Sequence, residues 1–328
     1  MKKILVIAAA VLAANTTFAQ QKLDVQGHRG GMGLMPENTV ASMINGVKVG
    51  AKTLELDVLI TKDGKVVVSH DPYMSADIML KPDGSEITKE EQMKMPLYSM
   101  TYDSIARFDA GSKPNPHFPN QARLKTHKPL LTDLIDSVET YVKKNKLKPV
   151  YYNIETKSSK MGDGVYNPAP EEFVAKMMEV LRAKKLGKRL TIQSFDVRTL
   201  QILHKTDPKV KLSLLVFGKM DPSVELKKVG LTPEDEKKIK AAIAAYGPGG
   251  IDADLKKLGF TPDIYSPYYT SVDKAMVEKA HAMKMEVLPW TVDEVKDMKA
   301  LGELGVDGII SNYPDKLVEI YGNYQDKK

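Results

Sequence analysis

The chain reads as an α/β protein, a (β/α)8 TIM barrel in one domain, and three observations predict this. Apolar runs of strand length alternate with helix-period segments along most of the chain, the signature of a parallel sheet. Nine strand-like runs occur, close to the eight of a closed barrel. Neither a GxGxxG fingerprint nor an internal repeat is present, which argues against a dinucleotide fold.

The first strand, residues 23–27, leads into His28. Asn38 is placed to cap a helix whose apolar stripe is Val40, Met43, Ile44 and Val47. Residues 53–60 and 65–69 read as strands joined by the turn Lys62-Asp63-Gly64, so one early unit folds back without a helix. Residues 71–129 hold seven prolines and one weak helix near 101–108. A stretch this long without regular structure reads as a functional insertion, a lid. Alternation resumes with a helix near 132–144, a strand over 150–154 ending at Glu155, and a helix over 170–183. A strand over 190–193, a helix over 197–204 and a strand over 212–217 follow. A second insertion spans about 218–262, with a helix opened by Thr232-Pro233 and closed near Gly247-Pro248. The end is regular: strand 263–266, helix 272–283, strand 285–290, helix 293–304, strand 308–311 and a helix from Pro314.

Composition excludes several classes. The 328 residues contain no cysteine, which rules out disulfides, zinc–thiolate sites and cysteine nucleophiles. Lys2-Lys3, the apolar run from Ile4 to Ala14 and the small residues Thr17 and Ala19 read as a signal peptide over 1–19. Periplasmic or secreted localisation is expected. No later segment approaches the ~20 apolar residues of a membrane span. Loss of the two lysines lowers the net charge from +6 to +4 (46 basic against 42 acidic residues). The basic run Lys143–Lys148 suits a helix C-terminus. No aromatic residues interleave with it as base stacking requires, so no nucleic-acid partner is expected.

Four stretches hold the chemistry: Gly27-His28-Arg29-Gly30, Glu55-Leu56-Asp57, His70-Asp71 and Glu155-Thr156-Lys157. Each lies at or just past a strand, where barrel sites form. Glu55 and Asp57, two apart on a strand, face one side. Two such carboxylates repel unless a cation lies between them, and a hard divalent ion answers that need. Glu155 completes a three-carboxylate site, with Lys157 at the same rim for a phosphate oxygen. His28 and His70 have side chains suited to proton transfer near neutrality. Small residues around His28 let a ligand approach the backbone. Trp290, at a strand end, is the first choice to line a pocket, with Phe195, Tyr151 and Tyr265 beside it.

At these residues the chain resembles the glycerophosphodiester phosphodiesterase family. The matching runs lie in order from Gly27 to Pro314. They are His28-Arg29-Gly30, Pro36-Glu37-Asn38-Thr39, Glu55-Leu56-Asp57-Val58, Thr61-Lys62-Asp63-Gly64, His70-Asp71, Asn153-Ile154-Glu155-Thr156-Lys157, Gln193-Ser194-Phe195-Asp196, Trp290-Thr291-Val292 and Gly305-Val306-Asp307-Gly308-Ile309-Ile310. The resemblance implies a barrel of the PLC-like phosphodiesterase type. It implies hydrolysis of a small-molecule glycerophosphodiester to sn-glycerol 3-phosphate and an alcohol. It also implies one divalent metal ion, Mg2+ or Ca2+, on Glu55, Asp57 and Glu155, with His28 and His70 as general acid and base. Arg29 and Lys157 would hold the phosphate, and the insertion after the second histidine would cap the site. One departure is Pro129-Leu130-Leu131-Thr132-Asp133, where the family often has Pro-Thr-Leu-Glu-Glu. Two competing readings remain. One is a related phosphodiesterase acting on intact phospholipids, docking through Tyr73, Met74, Ile78, Met79, Leu80, Tyr98 and Phe118. The other is a non-catalytic exported binding protein.

Overall fold

The structure, a computed structural model, describes residues 23–218 and 249–326. The expected signal peptide and the helix expected from Thr232 lie outside the described residues. Among the described residues, nine strands form one sheet: β1 (Asp24–Gly27), β2 (Thr53–Ile60), β3 (Val66–Val68), β4 (Tyr151–Thr156), β5 (Leu190–Ser194), β6 (Lys211–Val216), β7 (Ile264–Pro267), β8 (Glu286–Val287) and β9 (Gly308–Ser311). Eight run parallel in the order β8-β7-β6-β5-β4-β2-β1-β9, and β3 pairs antiparallel with β2. Asp307 N donates to Val287 O (3.0 Å) and Ile310 N to Pro289 O (3.0 Å), which brings the two ends of that path together as a barrel.

The helices of the described residues are α1 (Val40–Val49), the short α2 (Lys89–Gln92) and α3 (Tyr102–Ile105), then α4 (Leu131–Lys144), α5 (Pro170–Lys184), α6 (Val197–Thr206), α7 (Ile251–Leu258), α8 (Lys274–Ala282), α9 (Val295–Leu304) and α10 (Pro314–Tyr321). The longer ones bury their apolar faces against the outside of the strands in one continuous core that includes Met43, Leu54, Leu56, Val58, Tyr152, Phe173 and Tyr265. The alternation that sends Leu54, Leu56 and Val58 into this core sends Glu55 and Asp57 to the opposite face. The apolar residues inside the barrel form a separate, smaller cluster, Ile264, Leu288 and Ile310 with Trp290 packed on it.

Two details differ from the sequence expectation. The cap of α1 is Thr39, whose side chain accepts from Ser42 N (3.1 Å). Asn38 is instead in the left-handed region with φ 56°, and its side chain is drawn to Asp57. The insertion is better ordered than its prolines suggest. It contains α2 and α3, and Met74, Met79, Ile87, Leu97, Ile105 and Ala110 pack with Leu59 and Val67 of the β2–β3 hairpin. Met74 and Met79 are fully buried there, so they form this core rather than an exposed membrane-docking surface. The insertion also reaches back to the His28 side of the barrel. Gln121 Nε2 donates to Met32 O (2.6 Å), and Ala122 N donates to Leu34 O (2.9 Å).

Candidate active site

The strand β1 ends at a tight turn, and this turn sets the first group. Gly30 has φ +85°, and a Cβ there would lie 2.6 Å from Ser42 Oγ. Glycine is therefore required because α1 packs onto the turn, where the sequence had suggested room for a ligand. Arg29 is also left-handed (φ 50°), uncommon for a residue with a side chain. That conformation aims its backbone N at Glu55 Oε2 (2.8 Å). Its guanidinium is held by Glu37, Nη1 lying 2.9 and 3.0 Å from the two carboxylate oxygens, and its Nε is 3.5 Å from Asp57.

His28 Nδ1 lies 2.6 Å from Asn312 Oδ1, and Asn312 Nδ2 donates to Asp293 Oδ2 (2.7 Å). A carboxylate only accepts, so it turns the Asn312 amide oxygen toward His28. His28 then donates from Nδ1 and keeps its Nε2 lone pair, 4.0 Å from Glu55 Oε2. Burial, assisted by the Arg29 charge, lowers this imidazole to about 3 and keeps it neutral. His70 is held differently, its Nδ1 being 3.0 Å from the carboxylate Oδ1 of Asp71.

The three acids come together as the two-residue spacings predict. Glu55 and Asp57 from β2 and Glu155 from β4 are buried, with one oxygen of each within 4.8 Å of the others. Strand register explains this, since Asp57 lies directly across from Glu155. Burial raises the Glu55 carboxyl well above its ordinary range, and the charge of Asp57 adds to the effect. Burial likewise raises Glu155, against the pull of Lys157. Burial also opposes ionisation of Asp57, but the facing charges of His70, Lys157 and Arg29 outweigh it and hold Asp57 below the usual carboxylate range. Lys157 Nζ bonds Glu155 Oε1 (2.9 Å) and lies 3.8 Å from Asp57 Oδ1. Its ammonium partly neutralises the cluster.

The donor set fits a divalent ion. Asp57 Oδ1 is buried and has no hydrogen-bond partner among the described residues. The remaining oxygens are already oriented. Gln193 Nε2 donates to Glu55 Oε1 (2.8 Å), and Asn38 Nδ2 donates to Asp57 Oδ2 (2.8 Å). An all-oxygen set of this kind suits a hard cation such as Mg2+ or Ca2+.

A cavity of about 110 Å³ unites these groups. Its lining includes His28, Arg29, Glu55, His70, Glu155, Lys157 and Gln193 on one side and Phe195, Leu215, Trp290 and Ile310 on the other. Trp290 lines the cavity from three residues beyond the end of β8, a strand shorter than the 285–290 expected. Its indole donates to Ser266 O (2.9 Å), and its ring meets Phe195, Phe217 and Tyr268 at 5.3, 5.7 and 5.3 Å. Tyr151 and Tyr265 do not join it. Tyr265 is one residue out of phase with the inward-facing Ile264 and Ser266, and its hydroxyl donates to Asp254 Oδ2 (2.7 Å). Tyr151 lies at the opposite end of β4 from Glu155, under Lys52 and against Tyr324.

Acids, imidazoles and fixed cations gathered at the C-terminal mouth of a parallel barrel define a barrel phosphodiesterase. The sequence matches the glycerophosphoryl diester phosphodiesterase family over residues 28–316, and the chain belongs to that family. A glycerophosphodiester phosphodiesterase of Caldanaerobacter subterraneus subsp. tengcongensis is 27% identical over 299 residues, covering 90% of this chain and 96% of that protein. A crystal structure of a glycerophosphoryl diester phosphodiesterase-type protein from Silicibacter pomeroyi DSS-3 is 28% identical, with a TM-score of 0.72 and coverage of 92% and 93% of the two chains. An Oleispira antarctica phosphodiesterase, solved with its product sn-glycerol-3-phosphate, shares the fold at 22% identity and a TM-score of 0.62, over 90% of this chain and 95% of that one.

Proposed function

We propose that the chain hydrolyses glycerophosphodiesters to sn-glycerol 3-phosphate and an alcohol, using one divalent ion, Mg2+ or Ca2+, on Glu55, Asp57 and Glu155. The observation that carries this reading is the meeting of those three carboxylates, two of which, Glu55 and Glu155, line one cavity with His28, His70 and Lys157. Bound there, the ion would neutralise phosphate oxygens and the charge that grows on them in the transition state.

The side chains divide the remaining work. Arg29 and Lys157 hold the phosphate. His28, neutral with a free Nε2 lone pair, takes the proton of the attacking hydroxyl, from water or from the substrate's own glycerol; glycerol attack displaces the alcohol to leave a cyclic phosphodiester, which water then opens to glycerol 3-phosphate. His70, whose Nδ1 faces the Asp71 carboxylate, gives a proton to the departing alkoxide. The insertion, which contacts Met32 and Leu34 after the His28 turn, would cap that side of the site, and residues 1–19 would direct export. The mass of the mature N-terminus checks cleavage after Ala19.

A chromatographic assay for glycerol 3-phosphate released from glycerophosphocholine tests the activity. Release should need Mg2+ or Ca2+ and stop with a chelator; no release with either ion refutes the reading. Substrates with a nitrophenol leaving group test the proton assignment. His70→Ala should retain activity on them and lose glycerophosphocholine turnover, while His28→Ala should lose both. The reverse pattern would exchange the two roles.

A further inference from the structure

The motifs around Asn153 and Gln193 have a role in the barrel interior beneath the acids. Glu55 Oε1 accepts from Gln193 Nε2 (2.8 Å). Gln193 Oε1 accepts from Asn153 Nδ2 (2.9 Å), and the same Nδ2 donates to Gln26 Oε1 (3.0 Å). Gln26 Nε2 in turn donates to Asp24 Oδ2 (3.1 Å) at the far end of the barrel. Four strands thus contribute to one chain of side-chain hydrogen bonds running from Asp24 to Glu55. Asn153, Gln193, Gln26 and Glu55 are all at most 3% exposed.

The two ends decide its direction. Asp24 and, in the ionised form that a cation requires, Glu55 are carboxylates that accept only, so each adjoining glutamine must point its NH2 outward and its oxygen inward. Two inward oxygens need a central group that donates twice. A carboxamide NH2 does this; an Asp or a hydroxyl does not. The cost is visible, because Asn153 Oδ1 is buried with no partner among the described residues. Reversing Asn153 would set its oxygen against two other amide oxygens.

We propose that Asn153 is a positioning residue: as the double donor of this relay it locks Gln193 with its NH2 toward Glu55, and so fixes the Glu55 carboxylate for the cation. The inference rests on the proposed ion site, but part of its test does not. Partners behind a metal-ligating group typically change affinity ~10–100-fold when lost.

Mg2+ and Ca2+ are titrated calorimetrically into wild type, Asn153→Leu, Gln193→Leu and the double variant. Asn153→Leu should weaken binding at least ten-fold, with melting temperature and circular dichroism near wild type. In the Gln193→Leu background it should add little, because it acts through Gln193. Unchanged affinity, or losses that add in full, would overturn the relay. If Asn153→Leu does not fold, Gln26→Leu takes its place in the same cycle. A smaller loss is then expected, and unchanged affinity or full additivity again overturns the relay. Wild type that binds neither ion would refute the ion site instead. The relay is then judged from a crystal structure of the folded variant: a lost or reversed Gln193–Glu55 contact supports it, and an unchanged contact overturns it.

Discussion

The two halves of the barrel mouth are built from opposite chemistry. Strands β1 to β5 and the turns that follow them supply His28, Arg29, Glu55, Asp57, His70, Glu155, Lys157 and Gln193, while Leu215, Trp290 and Ile310 line the other side, with Phe195 after β5 at the join. The division continues beneath. Gln26, Asn153 and Gln193 form a hydrogen-bonded relay on one side, and Ile264, Leu288 and Ile310 a dry cluster on the other. Charge chemistry is confined to one wall, and the opposing wall is apolar. A dry wall strengthens the electrostatics of its neighbour.

The largest effect expected from breaking this division is in the polar half. His28→Ala or His70→Ala should lower kcat for glycerophosphocholine by ~10²–10⁴-fold, with the cation Kd measured by calorimetry unchanged. Full turnover in either variant would remove that histidine from the mechanism. Glu55→Ala should lose cation binding and activity together, and retained Mg2+ or Ca2+ binding would contradict its role as ligand.

A change of pH sharpens the comparison without mutation. Glu55 and Glu155 are raised above the ordinary carboxylate range by burial. Below their raised values they carry protons and cannot ligate. Cation affinity should therefore rise with pH from the ordinary carboxylate range (~4) upward, with net proton release seen by calorimetry in buffers of different ionisation enthalpy. Affinity that is flat or falls as pH rises would contradict this. The smallest effect belongs to the aromatic half. Trp290→Ala should change KM and the preference among alcohol headgroups by about 1–3 kcal/mol, leaving cation affinity as it was. A headgroup panel measures it, and equal losses for all substrates through kcat alone would deny the wall a selective role.

Much of this was legible because periodicity carries it. A period of two put Glu55 and Asp57 on one face, and strand ends located His28 and Glu155. What was not legible depended on partners far apart in sequence. Asn312 meets His28 across 284 positions and Gln193 meets Glu55 across 138, and no local pattern announces either. Asn38 read as a helix cap because capping residues and carboxylate partners are the same residue types. Tyr265 failed by one residue of phase, which in a strand selects the opposite face.

In the proposed site, three carboxylates from two strands share one divalent ion between two imidazoles. Crystals soaked in Mn2+, a hard stand-in with an anomalous signal, test it most directly. One anomalous peak is expected, within about 2.0–2.6 Å of an oxygen from each of Glu55, Asp57 and Glu155. No peak there, or a peak held by other side chains, would contradict the account.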